Sequence, residues 1–159
     1  MNKEMKSIRD INFAGKKVML RVDFNVPVNE QGEITDDTRI RESMPTIEKL
    51  LTDGAAIIIM AHFGRPKNGF DPSLSLLPVA KHLSKILNRE VIFTQELLGE
   101  KVSEIARNLK NGDVFLLENI RFYPGETKGD KELAKQLADL GDCYINDAFG
   151  AAHTPAHQV

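Results

Sequence analysis

The segment Ala55–Lys67, AAIIIMAHFGRPK, begins as an uninterrupted apolar run and ends in three basic side chains. A strand with one wet face alternates polar and apolar residues; a run that is apolar throughout and rich in isoleucine reads as a strand covered on both faces. Such strands belong in parallel sheets sandwiched between helices. The run then delivers His62, Arg65 and Lys67 around Gly64 and Pro66. The chain therefore leaves the core carrying potential cations and a stiff turn, a combination suited to an anionic ligand.

Similar short runs recur at Lys17–Val22, Glu90–Phe93, Asp113–Leu117 and Asp142–Ile145. Segments of helical period lie between them. Asp36–Leu51 places Ile40, Met44, Ile47, Leu50 and Leu51 on one face, and Leu76–Leu87 does so with Val79, Leu83, Ile86 and Leu87. Lys131–Leu140 and, more weakly, Glu100–Leu109 follow the same pattern. Strand–helix alternation of this kind predicts a three-layer, doubly wound, Rossmann-like α/β fold, its sheet mainly parallel with helices on both faces, as a single domain over 1–159.

Local signals mark the boundaries. Asp36 or Asp37 is placed to cap the Asp36–Leu51 helix, Asp53-Gly54 to end it, and Gly112 and Gly141 to act likewise before their strands. Pro45 lies inside the helical pattern and predicts a kink or a break, since proline lacks the N–H that a helix interior uses.

Composition narrows the class. With 42% hydrophobic residues the 159-residue chain can bury a sizeable core, and a net charge of −2 gives no global reason to expect nucleic acid or a membrane surface as partner. Cys143 is the single cysteine, which excludes an internal disulfide and suits a reducing compartment. The opening MNKEMKSIRD lacks the apolar core of a secretory signal, and no run reaches the roughly 20 apolar residues of a membrane span. The expectation is a cytoplasmic protein.

In open parallel sheets ligands bind beyond the carboxyl ends of the strands. The first strand runs into Arg21, Asp23, Asn25 and Pro27, and the Asp113 strand into Glu118, Asn119 and Arg121. The last strand leads to Asn146, Asp147, Gly150 and His153. One polar terminus is what any strand leaving a core shows. Four ends meeting on one rim, with arginine forks for phosphate or carboxylate, predict an anionic small-molecule site.

Other motifs are weak. No G-x-G-x-x-G follows a strand, and GETKGDK (Gly125–Lys131) lacks the spacing of a phosphate loop. His153 and His157 have an i, i+4 spacing, but Pro155 between them disfavours a helix, so no metal is expected. His82, flanked by Lys81 and Lys85, reads as part of a solvated helix face, and Cys143 as a small core residue. The paired acids Asp36-Asp37 precede a helix rather than end a strand, which disfavours a signalling receiver domain.

Taken together, RVDFNVP, TRIR followed by PTIEKLL, AHFGRPK, LLENIRFYPGE and INDAFGAAH resemble the N-terminal domain of the phosphoglycerate kinases, in the family's order and at its approximate separations from about Ile8 to His153. The resemblance implies a glycolytic phosphotransferase that moves a phosphoryl group between 1,3-bisphosphoglycerate and ADP, with 3-phosphoglycerate on the half present here. It further implies Asp23, Asn25, Arg39, His62, Arg65, Arg121 and His153 as substrate residues, with Arg39 the catalytic arginine. Mg2+ and ATP/ADP would sit on a C-terminal domain beyond this chain, so no cofactor is expected here.

Two departures qualify it. The family continues for more than this chain's length again, so the resemblance implies a fragment that binds the triose without turning it over, looser than an intact domain and with apolar surface exposed. The family also ends its last motif with His-Arg-Ala-His, where this chain has Thr154 and Pro155 before His157. That substrate arginine has no counterpart, which either removes a donor or marks an insertion. A non-catalytic anion-binding module is the alternative reading.

Overall fold

The computed structural model describes residues 11–62, 75–95, 100–119, 135 and 139–147. Among these residues five strands form one parallel sheet: β1 (Lys17–Asp23), β2 (Ala56–His62), β3 (Val91–Phe93), β4 (Val114–Leu116) and β5 (Cys143–Asp147), in the order β3-β4-β2-β1-β5. The chain starts at β1, one place in from an edge, steps inward to β2 at the centre, skips to the far edge at β3, returns through β4 and then crosses to the opposite edge at β5. Because every strand runs the same way, their carboxyl ends share one rim.

The apolar run is the sheet's middle. Ile57, Ile58 and Ile59 are all fully buried, and they divide between two cores because successive side chains point to opposite faces. Ile57 and Ile59 join Val18, Leu20 and Val22 under α1 (Thr38–Glu42), α2 (Met44–Asp53) and α3 (Leu77–Leu87), which contribute Ile40, Ile47, Leu50, Val79 and Leu83. Ile58 joins Met19, Met60 and Phe115 under α4 (Glu100–Arg107), which contributes Val102 and Ala106, with Leu140 nearby. Burying each such aliphatic side chain is worth about 1.5–3 kcal/mol, so the sheet needs a cover on both sides and has one. The three-layer, doubly wound α/β reading is correct.

The exposed apolar face expected of a fragment is not found among the described residues. Among the described residues the large exposed hydrophobic is Leu77 alone, because α4 and Leu140 cover the second face.

Several boundaries differ in instructive ways. The Asp36–Leu51 segment is two helices, broken at Ser43, with Pro45 in the first turn of α2 where a missing N–H costs nothing. Asp37 occupies the N-cap position of α1 but makes no capping hydrogen bond; Asp36 Oδ1 accepts from the Thr38 N–H at 2.9 Å and its hydroxyl at 2.6 Å. The helix expected over Lys131–Leu140 lies mostly outside the described residues, although the Asp139 N–H donates to the Lys135 carbonyl at 2.9 Å.

Gly54 ends α2 with a positive φ of 86°, as a left-handed cap does. Gly112 shares the positive φ, 91°, but lies in a turn beyond α4, where the Asp113 N–H donates to the Lys110 carbonyl at 2.9 Å, rather than capping that helix. Gly141 has no positive φ. A Cβ there would stand 2.9 Å from the Lys17 carbonyl oxygen and 2.9 Å from Met19 Cγ, so the position needs glycine for close approach to β1. Gly141→Ala is expected to destabilise the fold by about 1–3 kcal/mol through overpacking, read as a lower urea midpoint at unchanged slope. An unaltered midpoint would mean that β1 and β5 can separate freely.

Candidate functional site

The site is built at the rim where β1 and β2 end. Asp23 is the last residue of β1, and its Cα pairs in register with that of His62, the last of β2. One step back in the ladder, Val22 pairs with Asp147 at the end of β5. Beyond β4 the Leu117 N–H still donates to the Ile59 carbonyl at 2.9 Å, carrying Glu118 and Asn119 to the same edge. Parallel pairing thus aligns the polar ends that the sequence placed after separate apolar runs.

The Asp23 carboxylate organises the corner. Its Oδ1 accepts from the Asn25 backbone N–H at 3.0 Å, a local turn that swings the chain out of the strand. Its Oδ2 pairs with Arg39 Nη1, from α1. Asp23, Asn25 and Arg39 are therefore together. The Arg39 side chain keeps about half of its surface in solvent, 54%, against 21% for Asp23. A guanidinium has five N–H donors in a rigid fork, and this pair engages one nitrogen. The corner is donor-rich and its arginine faces solvent, which is the chemistry of an anion site rather than of a divalent cation. Arg65, Arg121, His153 and Lys67 lie outside the described residues.

Glu118 is the feature that sequence reasoning noted and gave no role. It is fully buried. Its Oε2 accepts from the Ser75 hydroxyl at 2.6 Å, and its Oε1 accepts from the backbone N–H groups of Leu76 at 2.7 Å and Asn119 at 2.9 Å. A buried carboxylate is tolerated when donors surround it, and these join the exit of β4 to the start of α3. An acid placed directly after a central apolar strand was the available signal.

His82 corrects a second reading. Its side chain is not simply solvated: Nε2 lies 2.9 Å from Asp37 Oδ2, and the side chain is only 30% exposed. That same oxygen accepts from Arg41 Nε at 2.8 Å. The hydrogen bond from His82, followed by the contacts from Arg41, holds the Asp37 carboxyl below the usual aspartate range despite its partial desolvation. Cys143 in β5 is partly buried against the first core, and desolvation raises its thiol above the ordinary value.

An all-parallel sheet covered by helices, with an arginine–aspartate corner at its carboxyl rim, places the chain among the doubly wound α/β domains. The comparisons make it specific. The family model "Phosphoglycerate kinase" matches residues 8–158, and the chain belongs to the phosphoglycerate kinase family. It is 57% identical over 150 residues to the phosphoglycerate kinase of Thermosipho africanus, covering 94% of this chain and 37% of that protein. The relative from Aquifex aeolicus is 53% identical over 148 residues, with 93% and 37% covered. Among solved structures, phosphoglycerate kinase from Coxiella burnetii superposes with a TM-score of 0.80 at 38% identity, over 96% of this chain and 37% of that one. The enzyme from Pyrococcus horikoshii gives 0.80 at 33% identity. The chain thus spans somewhat more than a third of the length of the relatives it matches. Among the described residues no helix is long and apolar enough to cross a membrane.

Proposed function

We propose that this chain is the phosphoglycerate-binding half of a phosphoglycerate kinase and does not turn over substrate without the nucleotide-binding half. The observation that carries the reading is the corner itself: the Asp23 carboxylate holds both Arg39 and the Asn25 backbone N–H, directly beside the end of β2, where His62 stands. In this reading Arg39, His62, Arg65, Arg121 and His153 supply positive charge and hydrogen bonds to the triose phosphate. Asp23 holds Arg39 in place and Asn25 lines the same turn.

The chemistry asks for little else. The acceptor in the ATP-consuming direction is the carboxylate of 3-phosphoglycerate, ionised at neutral pH, so no general base is required. Catalysis then consists of alignment and of stabilising charge on the phosphoryl group in transit. Nucleotide and Mg2+ belong to the full enzyme. Among the side chains described at this rim, the Asp23 and Glu118 carboxylates already hold donors from the protein, an arrangement that does not suit a metal ion.

Calorimetric titration of the 159-residue chain with 3-phosphoglycerate, and with glycerate as the phosphate-free control, tests the proposal. Saturable binding of the phosphorylated acid that weakens as salt is raised is expected. Equal heats for the two acids, or none at millimolar ligand, would remove it. Measurable turnover by the chain in a coupled assay would refute the requirement for the second half.

A further inference from the structure

The helix that carries Arg39 is poorly equipped to hold itself. At five residues, α1 is far below the length at which a helix is stable in isolation. Ile40 is its one buried side chain. A single apolar anchor fixes how deep the helix sits but leaves it able to roll about its axis. Rolling would redirect Arg39, and nothing in the Asp23 pair alone prevents it, because exposed ion pairs are weak and adapt.

The opposite side of α1 is gripped. Asp37 and Arg41 are four residues apart and share a face, joined through Oδ2 and Nε at 2.8 Å. Arg39 lies between them, about 200° around a helix of 3.6 residues per turn, so it points away from that face. The same Asp37 oxygen is 2.9 Å from His82 Nε2, on α3. Since α3 is fixed to the sheet by Val79, Ala80 and Leu83, it is a rigid support. Among the described residues, α1 is tied across the fold by Arg39 to Asp23 in front and by Asp37, at its N-cap, to His82 behind, while Ser43, which joins it to α2, donates its hydroxyl to the Arg39 carbonyl at 3.5 Å. An ionised carboxylate only accepts, so His82 Nε2 donates.

We propose that His82 is a positioning residue for Arg39: its hydrogen bond to Asp37 stops α1 from rolling and so sets the direction from which the guanidinium meets an anionic ligand. The identity of that ligand as 3-phosphoglycerate rests on the proposed function; the mechanical role does not. His82 touches no substrate in this account. It acts through Asp37 and the helix.

The test uses the full 159-residue chain with His82→Ala and His82→Gln, the latter keeping an amide N–H in reach of Asp37. Affinity for 3-phosphoglycerate, 15N relaxation of the Arg39 Nε–Hε group and the urea midpoint are measured for each. His82→Ala is expected to weaken affinity about three- to tenfold, the range of one net hydrogen bond, and to increase Arg39 mobility, with the midpoint nearly unchanged. His82→Gln should recover most of both, which a loss of histidine charge would not. Affinity that falls only in step with the midpoint, with glutamine no better than alanine, would reduce His82 to a structural contact and overturn the proposal. So would unchanged affinity with unchanged Arg39 relaxation. If the wild-type chain binds no 3-phosphoglycerate, the proposed ligand fails, while the Arg39 relaxation comparison still decides the positioning role.

Discussion

Replacing Glu118 with leucine is expected to cost the fold about 3–5 kcal/mol, the range for removing one partner from a buried charged contact. Leucine fills a similar volume, so the loss does not come from a cavity. It comes from the donors left behind: the Ser75 hydroxyl and the Leu76 and Asn119 N–H groups all face the carboxylate, and Ser75, Leu76 and Asn119 are buried. An orphaned buried donor costs about 1–3 kcal/mol. The Ser75 hydroxyl can rotate toward another acceptor, which keeps the total at the lower end of a simple sum. Glu118→Gln should be much milder, about 1–2 kcal/mol. Its carbonyl can take over Oε1, and the Ser75 hydroxyl can reverse to accept from the amide. Urea unfolding of the two variants gives the comparison. Equal losses for glutamine and leucine would show that charge rather than donor satisfaction governs the site. A leucine variant within 1 kcal/mol of wild type would dismiss the tether. For a domain whose whole stability is typically about 5–15 kcal/mol, the predicted loss is large.

Arg39→Ala is expected to act in the opposite way, on the ligand and hardly at all on the fold. The Arg39–Asp23 pair is half exposed, and such pairs contribute about 0–1 kcal/mol. A hydrogen bond between charged groups at a binding site is worth about 1.5–3 kcal/mol, so 3-phosphoglycerate affinity should fall by about ten- to a hundredfold at a nearly unchanged urea midpoint. Arg39→Lys keeps the charge and loses the planar fork, and should fall between. In a kinase containing this segment the effect on kcat should reach about a thousandfold or more, because an arginine on a transferring phosphoryl group meets charge that develops only in the transition state. Affinity unchanged by Arg39→Ala would remove Arg39 from the site. A loss accompanied by a large drop in midpoint would mean that the pair with Asp23 is structural.

The strands were legible because burial on both faces leaves a mark: the apolar run that opens Ala55–Lys67 is short and rich in isoleucine, and the strand observed there is Ala56–His62. Pro45 announced its break for a reason that needs no tertiary context. Gly141 was assigned the wrong cause, because a close approach to Lys17 and Met19 depends on where β1 lies across the sheet. At the rim, the pattern of polar strand ends could nominate Asp23 and Asn25, while Arg39, on a helix, came from the family resemblance rather than from position. The role of Asp23 was not legible in the sequence; the fold pairs its Oδ2 with Arg39. The Asp37–His82 contact had no sequence signal at all. Forty-five positions separate the two residues, and only the packing of α1 and α3 on a common face brings them together.

The ligand proposed for this rim is a phosphorylated three-carbon acid. Residue-resolved NMR of the isotope-labelled chain during titration with 3-phosphoglycerate tests it most directly. Saturable shifts are predicted at Asp23, Asn25, Arg39 and His62, together with Arg65 and Arg121, while α4 at Glu100–Arg107 stays unmoved. An absence of shifts at millimolar ligand, or shifts gathered on α4 instead, would contradict it.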